Sequence, residues 1–324
     1  MGMATAEAGE RAFVTNQSDD SVSVVLLGDT MQVLATLHVG GRPAGVAVSP
    51  DGRHAYVSSP EGGYVSVLAS EPPALLRRIE LEGGPLGIAV HPTGAPLYVA
   101  DWHGDRVFVV DPADGKRMAE WPTGRSPSGV AVSPDGRLLA SADRDSDQVS
   151  LFDTTTGRRL AQLPTGARPF GLAFTPDGAH LLTTDVGADA VTVIDVARRQ
   201  VLVQVPVGER PYAVDFASGH AFVTNQYEGT VSVLSLDDWQ VVATLETGEY
   251  PEGVAASADG ASVYVANWFD DTLVRVDVRR LEVVATLRTG KGPRAFGRFV
   301  AHAAPSAATE VAGTAGPAGG GAER

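Results

Sequence analysis

Along residues 11–300 the apolar positions fall in short runs that alternate with small or polar residues, and clusters of Gly, Pro, Asp, Asn and Ser separate the runs. Alternation with a period of two, bounded by turn residues, predicts half-buried β-strands. The runs come in sets. A Pro-x-small motif stands at Pro43, Pro85, Pro127, Pro169, Pro211, Pro251 and Pro293, at intervals of 42, 42, 42, 42, 40 and 42 residues. Each set reads as Pro127-Ser128-Gly129-Val130-Ala131-Val132 does. The apolar start is followed by Ser133-Pro134-Asp135-Gly136, a second apolar run, an acidic or amide turn, and two further alternating runs. In the Pro-Asp-Gly segments Asp can bond its own backbone and Gly accepts positive φ, which suits tight turns. The 40-residue interval falls where Ala217-Ser218-Gly219 is shorter than the Ser/Thr-Pro-Asp-Gly segments of the other repeats.

Four short strands per repeat of about 40 residues mark a β-propeller blade. The expected fold is therefore all-β, a seven-bladed β-propeller with four antiparallel strands per blade. Gly45, Gly87, Gly129, Gly171, Ala213, Gly253 and Ala295 follow the prolines by two residues, where seven inner strands would converge and a side chain would collide. The ends are out of phase with the repeat. Residues 11–40 look like the last three strands of a blade and Arg294 to Val300 like a first strand. Pairing of the N- and C-terminal strands would close the ring and remove its exposed edges. The expected organisation is a flexible segment 1–10, a propeller 11–300 with a closing blade from 11–40 plus 293–300, and a disordered Ala/Gly-rich tail 301–324.

Phe13-Val14-Thr15-Asn16, Phe222-Val223-Thr224-Asn225 and Tyr264-Val265-Ala266-Asn267, with Tyr98-Val99-Ala100-Asp101 as a variant, resemble the YVTN-repeat family of propellers. The resemblance spans roughly residues 11–300. It implies a seven-bladed ring of a kind found at bacterial and archaeal surfaces or in the periplasm, frequently without enzymatic activity. WD-repeat propellers have a similar period, but their Gly-His and Trp-Asp pairs do not recur here.

Composition narrows the chemistry. The net charge of −14 with only two lysines, Lys116 and Lys291, argues against nucleic acid as a partner. No apolar run approaches the ~18 residues of a membrane span, so no membrane insertion is expected. The absence of cysteine removes disulfides, thiolate metal sites and thiol nucleophiles. The polar N-terminus has no room for a basic segment plus an apolar stretch, so the sequence as it stands reads as cytoplasmic. A chain whose leader had been removed would read the same and belong to the periplasm or the exterior. A monomer is expected.

Two sets of repeat positions should reach the mouth of the central channel. Around the prolines these include Arg42, Arg168, Phe170, Arg210, Tyr212, Tyr250, Glu252 and Arg294, which differ in chemistry from blade to blade while the framework repeats. After the second strand comes a ring of Asn16, Ser59, Asp101, Asp143, Asp185, Asn225 and Asn267. Such side chains cap turns through backbone amides. In a sharper reading Asp101, Asp143 and Asp185, on consecutive blades, offer oxygen ligands to a divalent cation. Beside that ring stand Gln17, Trp102, Arg144, Gln226 and Trp268, with His103 next to Trp102. Aromatics beside arginines suit a planar or anionic ligand, although the tryptophans could instead pack between blades.

No metalloprotease helix motif, nucleophile elbow or phosphate-cradling loop is present. Tyr212, Glu252 and His103 remain the acid–base candidates, with Arg294 beside them. The sequence requires no cofactor. The leading expectation is a binding scaffold that holds a protein, peptide or small anionic or planar ligand at the mouth. The alternative is an enzyme, a lyase, hydrolase or cyclase, with its pocket at the same place.

Overall fold

The computed structural model describes residues 9–301 and forms a seven-bladed β-propeller. Six four-stranded antiparallel blades follow one another at 45–80, 85–122, 127–164, 169–206, 211–246 and 251–288. The seventh joins the two ends of the chain: Val300–Ala301 pairs antiparallel with Arg11–Asn16, which continues into Ser21–Leu26 and Gln32–His38. Residues 1–8 and 302–324, and with them most of the expected terminal segments, lie outside the described residues. Glu10, assigned from sequence to the N-terminal segment, already bonds to the ring. Its carboxylate accepts from the Ala258 amide at 2.6 Å and its carbonyl from the Leu27 amide at 2.9 Å.

Within each blade the second and third strands are the most apolar and the most buried. Their side chains pack against the next blade, as Tyr98, Val107 and Trp121 do against Val130, Leu139 and Phe152. Full burial of a Val, Leu or Phe side chain stabilises by roughly 1.5–3 kcal/mol, so these faces between blades hold the ring together. The outer strands alternate between exposed and half-buried positions, as in Gln32–His38. The short repeat is explained by its hairpin: Ala217 pairs with His220 across Ser218 and Gly219, both at positive φ, in place of a Ser-Pro-Asp-Gly turn.

Where the inner strands meet, the small residues are required by the close approach of neighbouring backbones. A Cβ on Gly45 would lie 2.2 Å from the Leu86 carbonyl oxygen, one on Gly87 2.1 Å from that of Ser128, and one on Gly253 2.2 Å from that of Ala295. Hydroxyls fasten the same contacts. Thr15, Ser58, Thr184 and Thr224, on second strands, donate to the carbonyls of Ala44, Leu86, Tyr212 and Glu252 on the following blades at 2.5–3.0 Å. Where Ala142 has no hydroxyl to offer, Ser128 on the inner strand donates to Phe170 O at 2.9 Å instead. The carbonyls so held belong to the residues just after the prolines, whose side chains face the channel.

The closing strand departs from the sequence expectation. In six blades the residue three after the proline pairs two positions before the ring Asx or Ser, as Val130 pairs with Ser141. In the seventh, Pro293 bridges to Asn16 as usual, but Ala12 pairs with Val300. Two residues more than in the other blades are accommodated there. The expected strand from Arg294 to Val300 is therefore interrupted, and Phe296–Arg298 leaves it to pair in parallel with Gly45–Val48 of the first blade.

Thr15 sits at the seam. Its hydroxyl donates to Ala44 O at 3.0 Å and accepts from the Ala295 amide at 2.8 Å, tying the closing strand to its own blade and to the first. Thr15→Val keeps the shape but leaves the buried Ala295 amide unpaired and Ala44 O with the Phe296 amide alone. It should lower stability by about 2 kcal/mol or more in urea unfolding. An unchanged midpoint and slope would contradict this account of the closure.

A candidate ligand cavity at the channel mouth

The loops that enter the inner strands and the turns that follow the second strands emerge on one face and enclose a cavity of about 480 Å³. Its wall is built from a single repeat position, the residue after the Asx ring. Gln17, Trp102, Arg144, Val186, Gln226 and Trp268 all line it, and Phe269 extends the last of these. Its base is built from the residues after the prolines, Phe170, Tyr212, Glu252 and Arg294, with Arg210 and Tyr250 from just before two prolines. Side chains that differ from blade to blade are thus presented at equivalent places by backbone that repeats.

The floor is aromatic. Phe170 stacks on Tyr212 with ring centroids 4.4 Å apart, and Trp102 leans on Phe170 at 6.1 Å. On one side Tyr250, Trp268 and Phe269 form a cluster with centroids 4.8–6.1 Å apart, continued by Tyr227 at 5.9 Å from Tyr250. The sequence left open whether Trp102 and Trp268 pack between blades or face a ligand. Both are half-buried and line the cavity.

A chain of polar contacts crosses the same side from rim to floor. Arg210 donates through Nη1 to the Tyr227 hydroxyl at 3.2 Å and through Nε to Gln226 Oε1 at 2.7 Å. The Gln226 amide donates to Glu252 Oε1 at 2.9 Å. Glu252 Oε2 faces Arg294 Nε at 3.1 Å, and Arg294 donates to the Tyr212 hydroxyl at 2.8 Å. Burial pushes the Glu252 carboxyl up to about 7, against the opposing pull of Arg294, Arg210 and the Gln226 hydrogen bond. Burial also raises Tyr212, with Arg294 acting in the opposite direction.

Among the described residues, the cavity arginines differ in their ion pairs. Arg144 meets Asp145 at 2.7 Å and Arg294 meets Glu252, whereas Arg210 has no carboxylate partner. Arg144 also lies over Trp102, 5.4 Å from the ring centre. The cavity is therefore locally cationic and aromatic in a chain whose net charge is −14.

Eight of the ten proposed ligand-binding residues line this cavity: Trp102, Phe170, Arg210, Tyr212, Tyr250, Glu252, Trp268 and Arg294. Arg42 and Arg168 do not. Both stand in left-handed backbone, at φ 51° and 56°, with their amides bonded to Asp20 and Asp147. The Arg42 side chain pairs with Glu61 at 3.3 Å, and Arg168 is exposed. The same turn recurs at Ser126, Arg210 and Gly292, whose amides bond Asp105, Asp189 and Asp271. Of the acid–base candidates, Tyr212 and Glu252 meet through Arg294, while His103 is exposed and outside the lining. Val186 and Phe269 were not singled out from sequence; counting one or two residues on from the Asx ring in every blade would have found both.

Asp101, Asp143 and Asp185, the residues of the cation reading, bond to backbone of their own blades. All three are fully buried and engaged within their own blades. They accept from the amides of Gly84, Gly124 and Gly166 at 2.8–3.1 Å, in the loops entering those blades. Asp101 also meets Arg106 at 3.0 Å. Among the described residues, no three His, Asp or Glu side chains come together to hold a metal. The capping role is the one the geometry displays.

A second cleft of about 460 Å³ lies between the first two blades on the face of the Pro-Asp-Gly turns, lined by Ser49, His54, Tyr56, Arg77 and Pro112 among others. Its arginine is occupied, since Arg77 donates to the carbonyls of Pro112 and Ala113.

A family model described as "Lactonase, 7-bladed beta-propeller" matches residues 161–303, less than half of the chain. No curated protein matches. Among solved structures, the hydrazine synthase of Kuenenia stuttgartiensis is similar at 22% identity and TM-score 0.71, over 78% of this chain and 88% of that one. A functionally unknown protein from Desulfotomaculum acetoxidans is similar at 16% identity and TM-score 0.76, over 89% and 99%. Dihydro-heme d1 dehydrogenase NirN in complex with DHE is similar at 17% identity and TM-score 0.66, over 90% and 75%. At these identities the similarity to solved structures concerns the fold. Among the described residues no helix is long and apolar enough to cross a membrane.

Because Glu252 holds its proton more tightly folded than unfolded, its contribution to stability is fully present below its ordinary value of 4.5 and is lost as pH rises through about 7. The stability of the wild type relative to Glu252→Gln should therefore fall between pH 5 and pH 8. Urea unfolding of both proteins at the two pH values measures it. A pH-independent difference would show that Glu252 is not held near neutrality.

Proposed function

We propose that the mouth cavity binds a small molecule with a flat apolar body and an acidic group. The observation that carries this reading is Arg210. It is a cavity arginine with no carboxylate partner among the described residues, and it stands beside the aromatic rings of Tyr227 and Tyr250. A guanidinium so placed can form charge-assisted hydrogen bonds, each contributing roughly 1.5–3 kcal/mol, while stacked rings add about 0.5–1.5 kcal/mol. The volume lies within the ~300–1,000 Å³ of small-molecule sites, and a concave pocket suits a small ligand better than a flat protein interface does.

Hydrolysis of a cyclic ester at the same place is a second reading. It draws on the family-model match, whose segment contributes the lining from Phe170 to Arg294, and on Glu252 titrating near neutrality. Ionised Glu252 would take a proton from water as the water oxygen adds to the ester carbonyl, with Arg294 stabilising the oxyanion. Collapse would break the ring C–O bond, and the departing oxygen would recover the proton from Glu252, giving a hydroxy acid.

Benzoate is the simplest probe of binding. Calorimetric titration should show one site, weakened at least tenfold by Arg210→Ala or Trp268→Ala and unaffected by Arg137→Ala in an exposed turn of the opposite face. Normal binding by folded mouth variants would overturn the assignment. For the second reading, dihydrocoumarin hydrolysis should be detectable and should fall about 100-fold or more in Glu252→Gln. An unchanged rate in the variant would exclude Glu252 as the base.

A further inference from the structure

We infer that Phe296 is a positioning residue that plugs the channel, holds up the floor of the mouth cavity and thereby limits the length of the ligand. This deepens the binding reading and rests on it for the identity of the ligand, though the plug itself stands on separate observations.

The plug arises from the two additional residues of the closing strand. Phe296 leaves the line of that strand beside the first blade, with its amide bonded to Ala44 O at 3.2 Å and its segment paired in parallel with Gly45–Val48. Its ring lies on the far side of the axis. It meets Phe170 at 5.1 Å and Tyr212 at 5.5 Å, and a Cβ on Gly129 would come within 3.2 Å of it. A side chain that starts at the first and seventh blades and touches the third, fourth and fifth must cross the centre of the ring. Gly297 allows the departure: its φ is +104°, and a Cβ there would stand 2.7 Å from Val46 O.

Phe170 and Tyr212 are the floor that a ligand would meet, and Phe296, buried behind them, is what they rest on. An acid group held at Arg210 fixes one end of the ligand, so the position of this floor fixes how far its apolar body can reach. The size limit is thus set by a residue that does not line the cavity. Deleting Phe296 and Gly297 would return Pro293-Arg294-Ala295-Arg298-Phe299-Val300 to the register of the other six inner strands, with the channel behind the floor left open.

The experiment compares wild type, Phe296→Ala, Phe296→Leu and the two-residue deletion, each shown to be folded by cooperative urea unfolding. Binding of benzoate and biphenyl-4-carboxylate is measured by calorimetry, and binding of benzene by its effect on thermal unfolding. Phe296→Ala and the deletion should bind biphenyl-4-carboxylate at least tenfold more tightly than wild type, with benzoate changed less than threefold and Phe296→Leu in between. Benzene should stabilise Phe296→Ala and leave wild type unaffected. If wild type binds neither acid, the functional reading fails while the benzene arm still decides the plug. Folded Phe296→Ala that gains neither benzene nor the longer acid overturns the inference.

Discussion

Seven inner strands have to meet around one axis, and the backbones approach so closely that five of the seven meeting points have no room for a Cβ and the other two carry alanine, Ala213 and Ala295. At Gly45, Gly87, Gly129, Gly171 and Gly253 a methyl group would overlap the carbonyl of the next inner strand. That contact fixes the angle between blades and therefore which apolar faces can pack. Hydroxyls from Ser58, Ser128 and Thr184 hold three of these carbonyls, those of Leu86, Phe170 and Tyr212, and Thr15 and Thr224 hold the Ala44 and Glu252 carbonyls at equivalent places. Buried hydrogen bonds of this kind gain modestly when made and cost more when broken, so they define the register of the ring more than they add to its stability.

The candidate site inherits its precision from this frame. Each fastened carbonyl belongs to a residue whose side chain is free to vary, and in consecutive blades these are Phe170, Tyr212 and Glu252. The buried Asx ring does the same for the wall where Asn16, Asp101, Asp143 and Asp185 tie the end of the second strand to the loop entering its own blade. Seven equivalent places therefore carry different chemistry at fixed relative positions. The closing blade is the exception in backbone as well as in side chain. Its two additional residues turn an open channel into a blind pocket, because Phe296 has nowhere to go except the axis.

The repeat was legible in the sequence because every blade meets the same packing constraint and writes it in the same places. The prolines, the small residues two positions on and the shortened hairpin at Ser218-Gly219 could be read by counting, and so could the rows that form the cavity. What counting could not give was direction. Asp101, Asp143 and Asp185 read as a ring facing the mouth, but hydrogen bonding to their own loops turns them inward. Arg42 and Arg168 occupy the same row as Arg210, yet only Arg210 lines the cavity, where it has Gln226 and Tyr227 as partners. The bulge at Phe296 was hidden for another reason: with the C-terminal strand standing alone at the end of the chain, no following repeat reveals that two residues are in excess.

The central claim is that an acid lies at Arg210 with its flat body against the Phe170–Tyr212 floor. The most direct measurement is a crystal structure of the protein soaked with 4-iodobenzoate, in which anomalous scattering locates the iodine. The account predicts iodine at the aromatic floor, with the carboxylate bonded to Arg210. Iodine in the cleft beside His54 and Arg77 on the opposite face, or a mouth cavity left empty at saturating concentration, would contradict it.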